Sequence, residues 1–255
     1  MAKKSNYQEL ARKYLEQYQA KLFALEQKEM ILLGEKWGIV SSNLEELIKK
    51  LAEKEILSEN QLFKLELYKE FLKESKFQVN KFNEFAAGTI TDVQRIYAKA
   101  GLDISQTSLS FINPVFSRMN IDAVNKFIGI SSDGSPIYEL LKKSYPDSVD
   151  ALVNDLLKGT ALGWNPEKTA KFMVGRMNGN YYRALMITRT EQQNILRMTS
   201  IEQYKESGVC NGWQRIEQDD CCDECADVKD KIYGLDEPFE SHPHCRGAAL
   251  PVVIK

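Results

Sequence analysis

The sequence predicts a mainly α-helical protein with long N-terminal helices, a helical middle region and a small, irregular α+β module at the C-terminus. The first 113 of the 255 residues contain no proline and four glycines, and they are rich in Leu, Glu, Lys and Gln. Such a composition favours long helices. All five cysteines and both histidines, in contrast, lie within residues 210–255. This uneven distribution separates a helical body from a chemically different tail.

The N-terminal segment has the periodicity of a helix with one buried face. Within residues 7–33, apolar side chains recur at spacings of three, four and seven residues, as expected for a core-facing stripe: Leu15, Tyr18, Leu22, Leu25 and Leu32. Gly34 and Gly38 are expected to end this helix. A helical bundle or hairpin is the favoured interpretation, and a partner-binding coiled coil is the alternative.

Further helix starts follow along the chain. Residues 42–45 and 58–61 have the spacing of N-terminal capping signals, which predicts a second helix to about Leu57 and a third to about Phe85. A short fourth helix is expected over residues 91–100. Ser, Asn, Asp, Gly and Pro collect in residues 101–147, which predicts a long loop or a domain boundary.

Helices are predicted to resume in the second half. One covers residues 148–158, and the next begins at Pro166 with Asn165 as its N-cap. Residues 177–180, Met-Asn-Gly-Asn, should interrupt that helix, and a further helix should stop at Gly208. We therefore divide the chain into four parts: an N-terminal helical region, a loop-rich connector, a pair of long helices and a Cys/His module (residues 1–105, 106–165, 166–208 and 209–255).

The tail contains the spacing of a metal site. Cys222, Cys225, His242 and Cys245 follow the pattern C-x2-C-x16-H-x2-C. Each two-residue spacing lets a tight turn aim two side chains at one point, and two such turns complete the tetrahedron that Zn²⁺ takes with sulfur and nitrogen ligands. The prediction is a metal-stapled module in which a structural zinc ion is held by these four residues.

Other roles for these cysteines fit less well. The odd number of cysteines and the adjacent pair at 221 and 222 argue against a disulfide framework. Participation of Cys221 or His244 in metal binding stays open, since only Cys222 has the two-residue spacing to Cys225. Cys210 is expected to be a small buried apolar residue.

Charge and motifs exclude several classes of function. Residues 201–255 carry 6 basic and 12 acidic side chains, a net charge of −6, which disfavours a zinc finger that reads DNA. Four protein ligands would leave no position for a catalytic water. No GxGxxG, GxxxxGK[ST], HExxH or GxSxG motif occurs, and no run of 18 apolar residues predicts a membrane span. We therefore expect a protein that is not an enzyme.

An ordered set of motifs in the second half resembles a known family. Arg189-Thr190-Glu191, expected to support the helix against the tail, is followed by Tyr204, Gly208, Val209 and Trp213. Asp219-x-x-Cys222-x-x-Cys225, Gly234 and finally residues 242–246, His-Pro-His-Cys-Arg, complete the series. This order, over about residues 145–250, resembles the minor head proteins of tailed bacteriophages, the Mu F-like head morphogenesis family. One position departs, because the family's His-Pro-x-Cys-Arg-Cys ends here in Gly247.

The resemblance implies a structural virion protein of the phage head, assembled in the host cytoplasm. Its partners would be the portal protein, the major capsid protein or the scaffolding protein, with a role in DNA packaging or ejection, and non-specific contact with DNA is compatible with it. No membrane partner is implied. The alternative is a metal-dependent, phage-borne hydrolase or nuclease, or a toxin-like effector, which should show an open metal position beside a carboxylate.

Overall fold

The computed structural model describes residues 5–53, 66–131, 133–143, 154–159 and 161–253. Within them the chain is mainly helical and ends in a small sheet, which confirms the predicted fold class. The elements are α1 (Ser5–Ala52), α2 (Glu66–Ser110), a 3-10 helix (Ile121–Phe127), α3 (Ile137–Lys142), α4 (Pro166–Glu206), β1 (Gly212–Ile216), α5 (Asp223–Ala226), β2 (Ile232–Gly234) and β3 (Ala248–Val252). None of the described helices combines the length and hydrophobicity that a membrane span requires.

Helix α1 is a single helix where two were predicted. Gly34 and Gly38 lie in its interior, and the capping signal at residues 42–45 starts no new helix. A glycine inside a helix costs about 1 kcal/mol relative to alanine. Burial of Leu33 and Trp37 around these glycines outweighs that cost, since full burial of one large apolar side chain contributes about 1.5–3 kcal/mol.

Helix α2 is also continuous where the sequence suggested breaks. It runs from Glu66 to Ser110, so the predicted end near Phe85 and the separate helix at 91–100 are wrong. The predicted loop begins after Ser110 and not at residue 101. Residues 58–61, where this helix was expected to start, lie outside the described residues.

Helix α4 confirms its two predicted ends and contradicts its predicted break. Asn165 caps the start, because its Oδ1 accepts a 2.8 Å hydrogen bond from the backbone N–H of Lys168. Gly208 follows the other end with φ +68°, the left-handed conformation that favours glycine at a helix C-terminus. Residues 177–180 remain helical, and Asn178 accepts a 2.7 Å hydrogen bond from the Trp37 indole.

The described part of the segment between α2 and α4 is largely irregular, in agreement with the loop predicted from its composition. It contains the 3-10 helix and α3. Of the helix predicted over residues 148–158, residues 154–158 are helical, within the helical stretch 154–159, and residues 148–153 lie outside the described residues.

Contacts divide the chain into two units, each made of several separate segments of the sequence. One unit comprises Glu29–Thr89 and Pro136–Leu185, and we call it the helical unit. The other comprises Met1–Lys28, Ile90–Ser135 and Met186–Lys255, and we call it the sheet unit. The division into residues 1–105, 106–165, 166–208 and 209–255 stays a prediction.

The helical unit has an aromatic centre. Trp37 is buried and packs edge-on against Phe82, with their ring centroids 4.9 Å apart. Tyr181 lies nearly parallel to the indole, with the ring centroids 6.4 Å apart. Such aromatic pairs contribute about 0.5–1.5 kcal/mol beyond the area they bury. Together with the indole hydrogen bond to Asn178, they explain why this stretch of α4 stays helical.

The sheet unit buries most of the predicted N-terminal stripe. Leu15 and Leu22 belong to its main hydrophobic cluster, and Tyr18 and Leu25 pack against that cluster from partly buried positions. Leu32, the last predicted member, lies outside the sheet unit and is 44% exposed. Helix α1 continues past the hydrophobic cluster of the sheet unit, and Leu32 lies on that continuation.

The sheet is antiparallel and has the strand order β2-β1-β3. Trp213 on β1 pairs with Tyr233 on β2 and with Pro251 on β3. All five residues of β3 are buried. The fully buried Trp213 lies in a second cluster with Tyr204 and Cys210, so the end of α4 and the sheet share one core.

Gly101 allows α2 and α4 to approach closely in the sheet unit. A Cβ atom at this position would lie 2.7 Å from the backbone oxygen of Leu196 and 3.0 Å from the Cβ of Thr199. The Gly101 carbonyl also accepts a 3.2 Å hydrogen bond from the Ser200 hydroxyl. A side chain here would therefore push the two helices apart.

We predict that Gly101→Ala lowers the free energy of unfolding by about 1–3 kcal/mol, the usual cost of overpacking a core. Gly88→Ala in the same helix is the control, because nothing lies within 4 Å of its Cβ position; it should be neutral or stabilise by about 0.5–1 kcal/mol. Urea denaturation followed by circular dichroism measures both. Equal stability of the two variants would contradict the close approach.

Candidate metal centre

The first pair of predicted ligands lies on a short helical turn. Cys222 is the N-cap of α5, and Cys225 lies within that helix. The Ala226 N–H donates a 2.9 Å hydrogen bond to the Cys222 carbonyl, which closes the turn and brings both thiols to the same side. The C-x2-C spacing therefore places the two cysteines on one turn, as a shared metal ion requires.

The second pair lies on a tight turn before β3. The Cys245 N–H donates a 3.1 Å hydrogen bond to the His242 carbonyl, which closes a four-residue turn. Pro243 occupies the second position, and His244 has φ +67° at the third. A proline followed by a residue of positive φ is the pattern of a type II turn. The turn presents His242 and Cys245 toward α5.

The structure brings three of the four predicted ligands into one group and places the fourth, Cys245, beside one of them. His242 Nε2 lies 3.2 Å from Cys222 Sγ and 3.1 Å from Cys225 Sγ. Cys225 Sγ lies 3.7 Å from Cys245 Sγ. Cys222, Cys225 and His242 form one group whose ligand atoms all lie within 4.8 Å of one another. Cys245 is not a member of this group and approaches it through Cys225. We call the four residues the Cys/His cluster, and the group of three has the atoms and spacing of a site that can hold a metal ion.

A buried carboxylate extends the cluster on its inner side. Glu217 forms a second group with Cys225 and Cys245, again with ligand atoms within 4.8 Å of one another, and all three residues are buried. A Cβ atom on Gly247 would lie only 2.6 Å from Glu217 Cδ. The space that the resemblance would assign to a final cysteine side chain is therefore taken by Glu217.

Arg215 neutralises this carboxylate and reaches the thiols. Its Nε donates a 2.5 Å hydrogen bond to Glu217 Oε1, and both side chains are at most 5% exposed. Its Nη2 lies 3.7 Å from the Sγ atoms of both Cys225 and Cys245. A buried ion pair is tolerated only when its remaining donors and acceptors are satisfied, and here the sulfur atoms accept the free N–H groups.

Arg197 fastens the second turn to helix α4. Its guanidinium is buried and donates to the backbone carbonyls of Gly247 at 2.7 Å and Cys245 at 2.5 Å. Burial lowers the pKa of Arg197 below its ordinary value, and the nearby Cys245 and Glu217 oppose that shift. The side chain holds Cys245 and the beginning of β3 against the helix.

An aromatic stack supports both arginines. Phe239 lies 4.5 Å from the Arg197 guanidinium and 4.4 Å from that of Arg215. Its ring stacks on Trp213, which in turn stacks on Tyr233 at 4.5 Å. Cation–π contacts of desolvated guanidinium groups contribute up to about 2 kcal/mol. The three stacked rings therefore connect strands β1 and β2 to the guanidinium groups of Arg197 and Arg215.

The Arg189-Thr190-Glu191 motif lies at the same turn. Arg189 donates a 2.6 Å hydrogen bond to the buried Glu26, which also lies 3.6 Å from Arg246 Nη2. Thr190 Oγ1 accepts a 3.4 Å hydrogen bond from the His244 N–H. These contacts are those expected of a motif that supports the helix against the module.

The remaining cysteines and histidine differ in their surroundings. Cys210 is buried beside Trp213, as predicted, and burial raises its pKa to about 11. Cys221 and His244 belong to neither ligand group among the described residues, although both line a cavity at the cluster. Burial, followed by the charge of Arg189, lowers the pKa of His244.

This cavity, of 260 Å³, borders the Cys/His cluster. It is lined by the four cluster residues together with Cys221, His244, Glu217, Gln218, Asp220, Arg189 and Arg246. Burial, followed by the proximity of Cys245, raises the pKa of Cys225 to about 12. A metal ion that binds this thiol must therefore displace its proton.

We predict that the chain binds Co²⁺ through thiolates and that Cys225→Ser weakens this binding by more than 100-fold. The loss should exceed the roughly 10–100-fold caused by outer-shell changes, because Cys225 belongs to both ligand groups. Thiolate-to-cobalt charge-transfer absorption measures the affinity. Cys210→Ser is the matched control and should bind as the unmodified chain does. Equal affinity of the two variants would exclude Cys225 as a ligand.

No protein-family model, curated protein or solved structure in our comparisons matches the chain.

Proposed function

We propose that the protein is a structural minor head protein of a tailed bacteriophage, located in the virion and acting in head morphogenesis. The observation that carries the proposal is the convergence of the motifs that resemble the Mu F-like family. Arg189 and Arg246 share Glu26, Thr190 contacts the backbone of His244, and the two ligand turns face each other. Motifs far apart in sequence thus serve one site.

We propose Zn²⁺ as the ion of the Cys/His cluster. Tetrahedral zinc with Zn–S bonds of about 2.3 Å places its sulfur ligands about 3.8 Å apart, and Cys225 and Cys245 lie 3.7 Å apart. Three thiolates and one imidazole are also the soft donors that zinc prefers. The ion would tie α5 to the turn before β3, and it would supply binding energy on the order of 10–16 kcal/mol.

A metal-tied module of this kind suits docking to another protein of the head. The partners that we propose are the portal protein, the major capsid protein or the scaffolding protein, with a contribution to DNA packaging or ejection. The net charge of −6 in residues 201–255 disfavours DNA contact by the module itself. Any non-specific contact with DNA would then use the net positive remainder of the chain.

The test of the assembly role is the position of the protein in the particle. We expect the protein in purified virions and procapsids of the phage that encodes it, at a few copies per particle, and particles lacking it should fail in packaging or infection. Mass spectrometry of purified particles and counts of filled heads measure both. Absence of the chain from virions and procapsids would overturn the proposal.

A metal-dependent hydrolase or effector is the second candidate, and one observation favours it. A cavity of 260 Å³ reaches the ligands, and Glu217 lies beside Cys225 and Cys245. The carboxylate is 1% exposed and paired with Arg215 at 2.5 Å. A carboxylate held in this way is poorly placed to accept a proton from a water molecule, so we prefer the structural function.

Small anions distinguish the two functions. If four protein ligands close the site, added azide or cyanide should leave the visible absorption of the Co²⁺-loaded protein unchanged, since no coordination position is free. A shift of these bands at anion concentrations that leave the metal bound would contradict a closed site and favour the enzymatic alternative.

A further inference from the structure

Two possible cation sites overlap at one thiol. Cys225 belongs to the group with Cys222 and His242 and also to the group with Glu217 and Cys245. Both groups have the oxygen, nitrogen or sulfur atoms and the spacing that a divalent ion requires. Geometry alone would therefore allow two metal ions bridged by Cys225.

The second group already encloses a cation. The Arg215 guanidinium contacts all three of its members: Glu217 through Nε at 2.5 Å, and Cys225 and Cys245 through Nη2 at 3.7 Å each. Its Nη1 donates a 2.6 Å hydrogen bond to the Glu240 carbonyl. Strand β1 and the face of Phe239 fix the group in this position.

The charges of the site agree with a single divalent ion. Once a metal binds, Cys222, Cys225 and Cys245 are thiolates, and Glu217 adds a fourth negative charge. Arg215 and the buried Arg197 supply two positive charges. A divalent cation brings these six side chains to neutrality, whereas two such ions would leave them with a net charge of +2.

We propose that Arg215 is the built-in second cation of the centre. It occupies the Glu217–Cys225–Cys245 group, donates N–H···S hydrogen bonds to two thiolates and limits the chain to one metal ion. Arg215 is a positioning residue that acts on the metal through its ligands. This inference rests on metal binding by the Cys/His cluster, as proposed above.

Arginine is required by the geometry, and lysine would not replace it. A guanidinium has five N–H donors in a fixed plane, which lets one side chain serve a carboxylate, a carbonyl and two sulfur atoms together. An ammonium group retains the charge but cannot reach these acceptors in the same arrangement. Arg215→Lys therefore separates the effect of the hydrogen bonds from that of the charge.

The experiment measures Co²⁺ affinity by competition with a chelator, together with the thiolate-to-cobalt charge-transfer band. We expect Arg215→Gln to bind Co²⁺ about 10–100-fold more weakly, the range for outer-shell partners, and Arg215→Lys to fall between it and the unmodified chain. Loss of the N–H···S bonds should also shift the band in both variants. Lys229→Gln is the control: it removes one positive charge from the same module, where Lys229 pairs with the exposed Asp219.

Each result decides the proposal. Unchanged affinity and an unchanged band in both Arg215 variants would overturn it, as would two Co²⁺ ions per unmodified chain. If Arg215→Gln fails to fold, the position of the thiolate-to-cobalt charge-transfer band in Arg215→Lys still tests the proposal. Failure of the unmodified chain to bind Co²⁺ would overturn the proposed metal site itself. This result is distinct from failure of the Arg215 proposal, because it is obtained without any Arg215 variant.

Discussion

The hydrogen bonds of one buried guanidinium hold the second turn of the Cys/His cluster to helix α4. Arg197 extends from the C-terminal part of α4 and binds the carbonyls of Cys245 and Gly247. Cys245 ends the second ligand turn and Gly247 directly precedes β3, so these two hydrogen bonds fix both the turn and the start of the last strand against α4. Burying a guanidinium is costly unless its donors are satisfied. This requirement explains why the backbone of the turn faces the helix while its thiol and imidazole face α5.

The sequence could predict helix content but not helix continuity. Proline-free, Leu- and Glu-rich composition correctly indicated helices, and Asn165 and Gly208 correctly marked ends of α4. The breaks at Gly34 and at residues 177–180 were wrong, because local propensity is worth about 1 kcal/mol per residue and tertiary packing is worth more. The Trp37 indole contacts Asn178, a long-range pairing that no local pattern contains.

The candidate site was predictable where spacing determines it. Two-residue separations place Cys222 with Cys225 and His242 with Cys245 on turns, whatever the surrounding fold. Arg215 and Glu217 were missed, although the alternation of residues 213–217 is a signal for a strand with two charged side chains on one face. Burial of that face depends on α4 and on the loop carrying Phe239, so the sequence of the strand alone could not reveal that its charges are internal.

The edges of the small sheet restrict how the module recognises other molecules. Strand β2 has only three residues, and β3 contains Pro251, which lacks a backbone N–H, within five buried residues. Neither edge offers the row of free backbone groups that templates strand addition or aggregation. A chain that is concentrated in an assembly would therefore resist edge-to-edge pairing between copies. A contact between this sheet and another chain would then have to use side chains and loops instead of a strand edge.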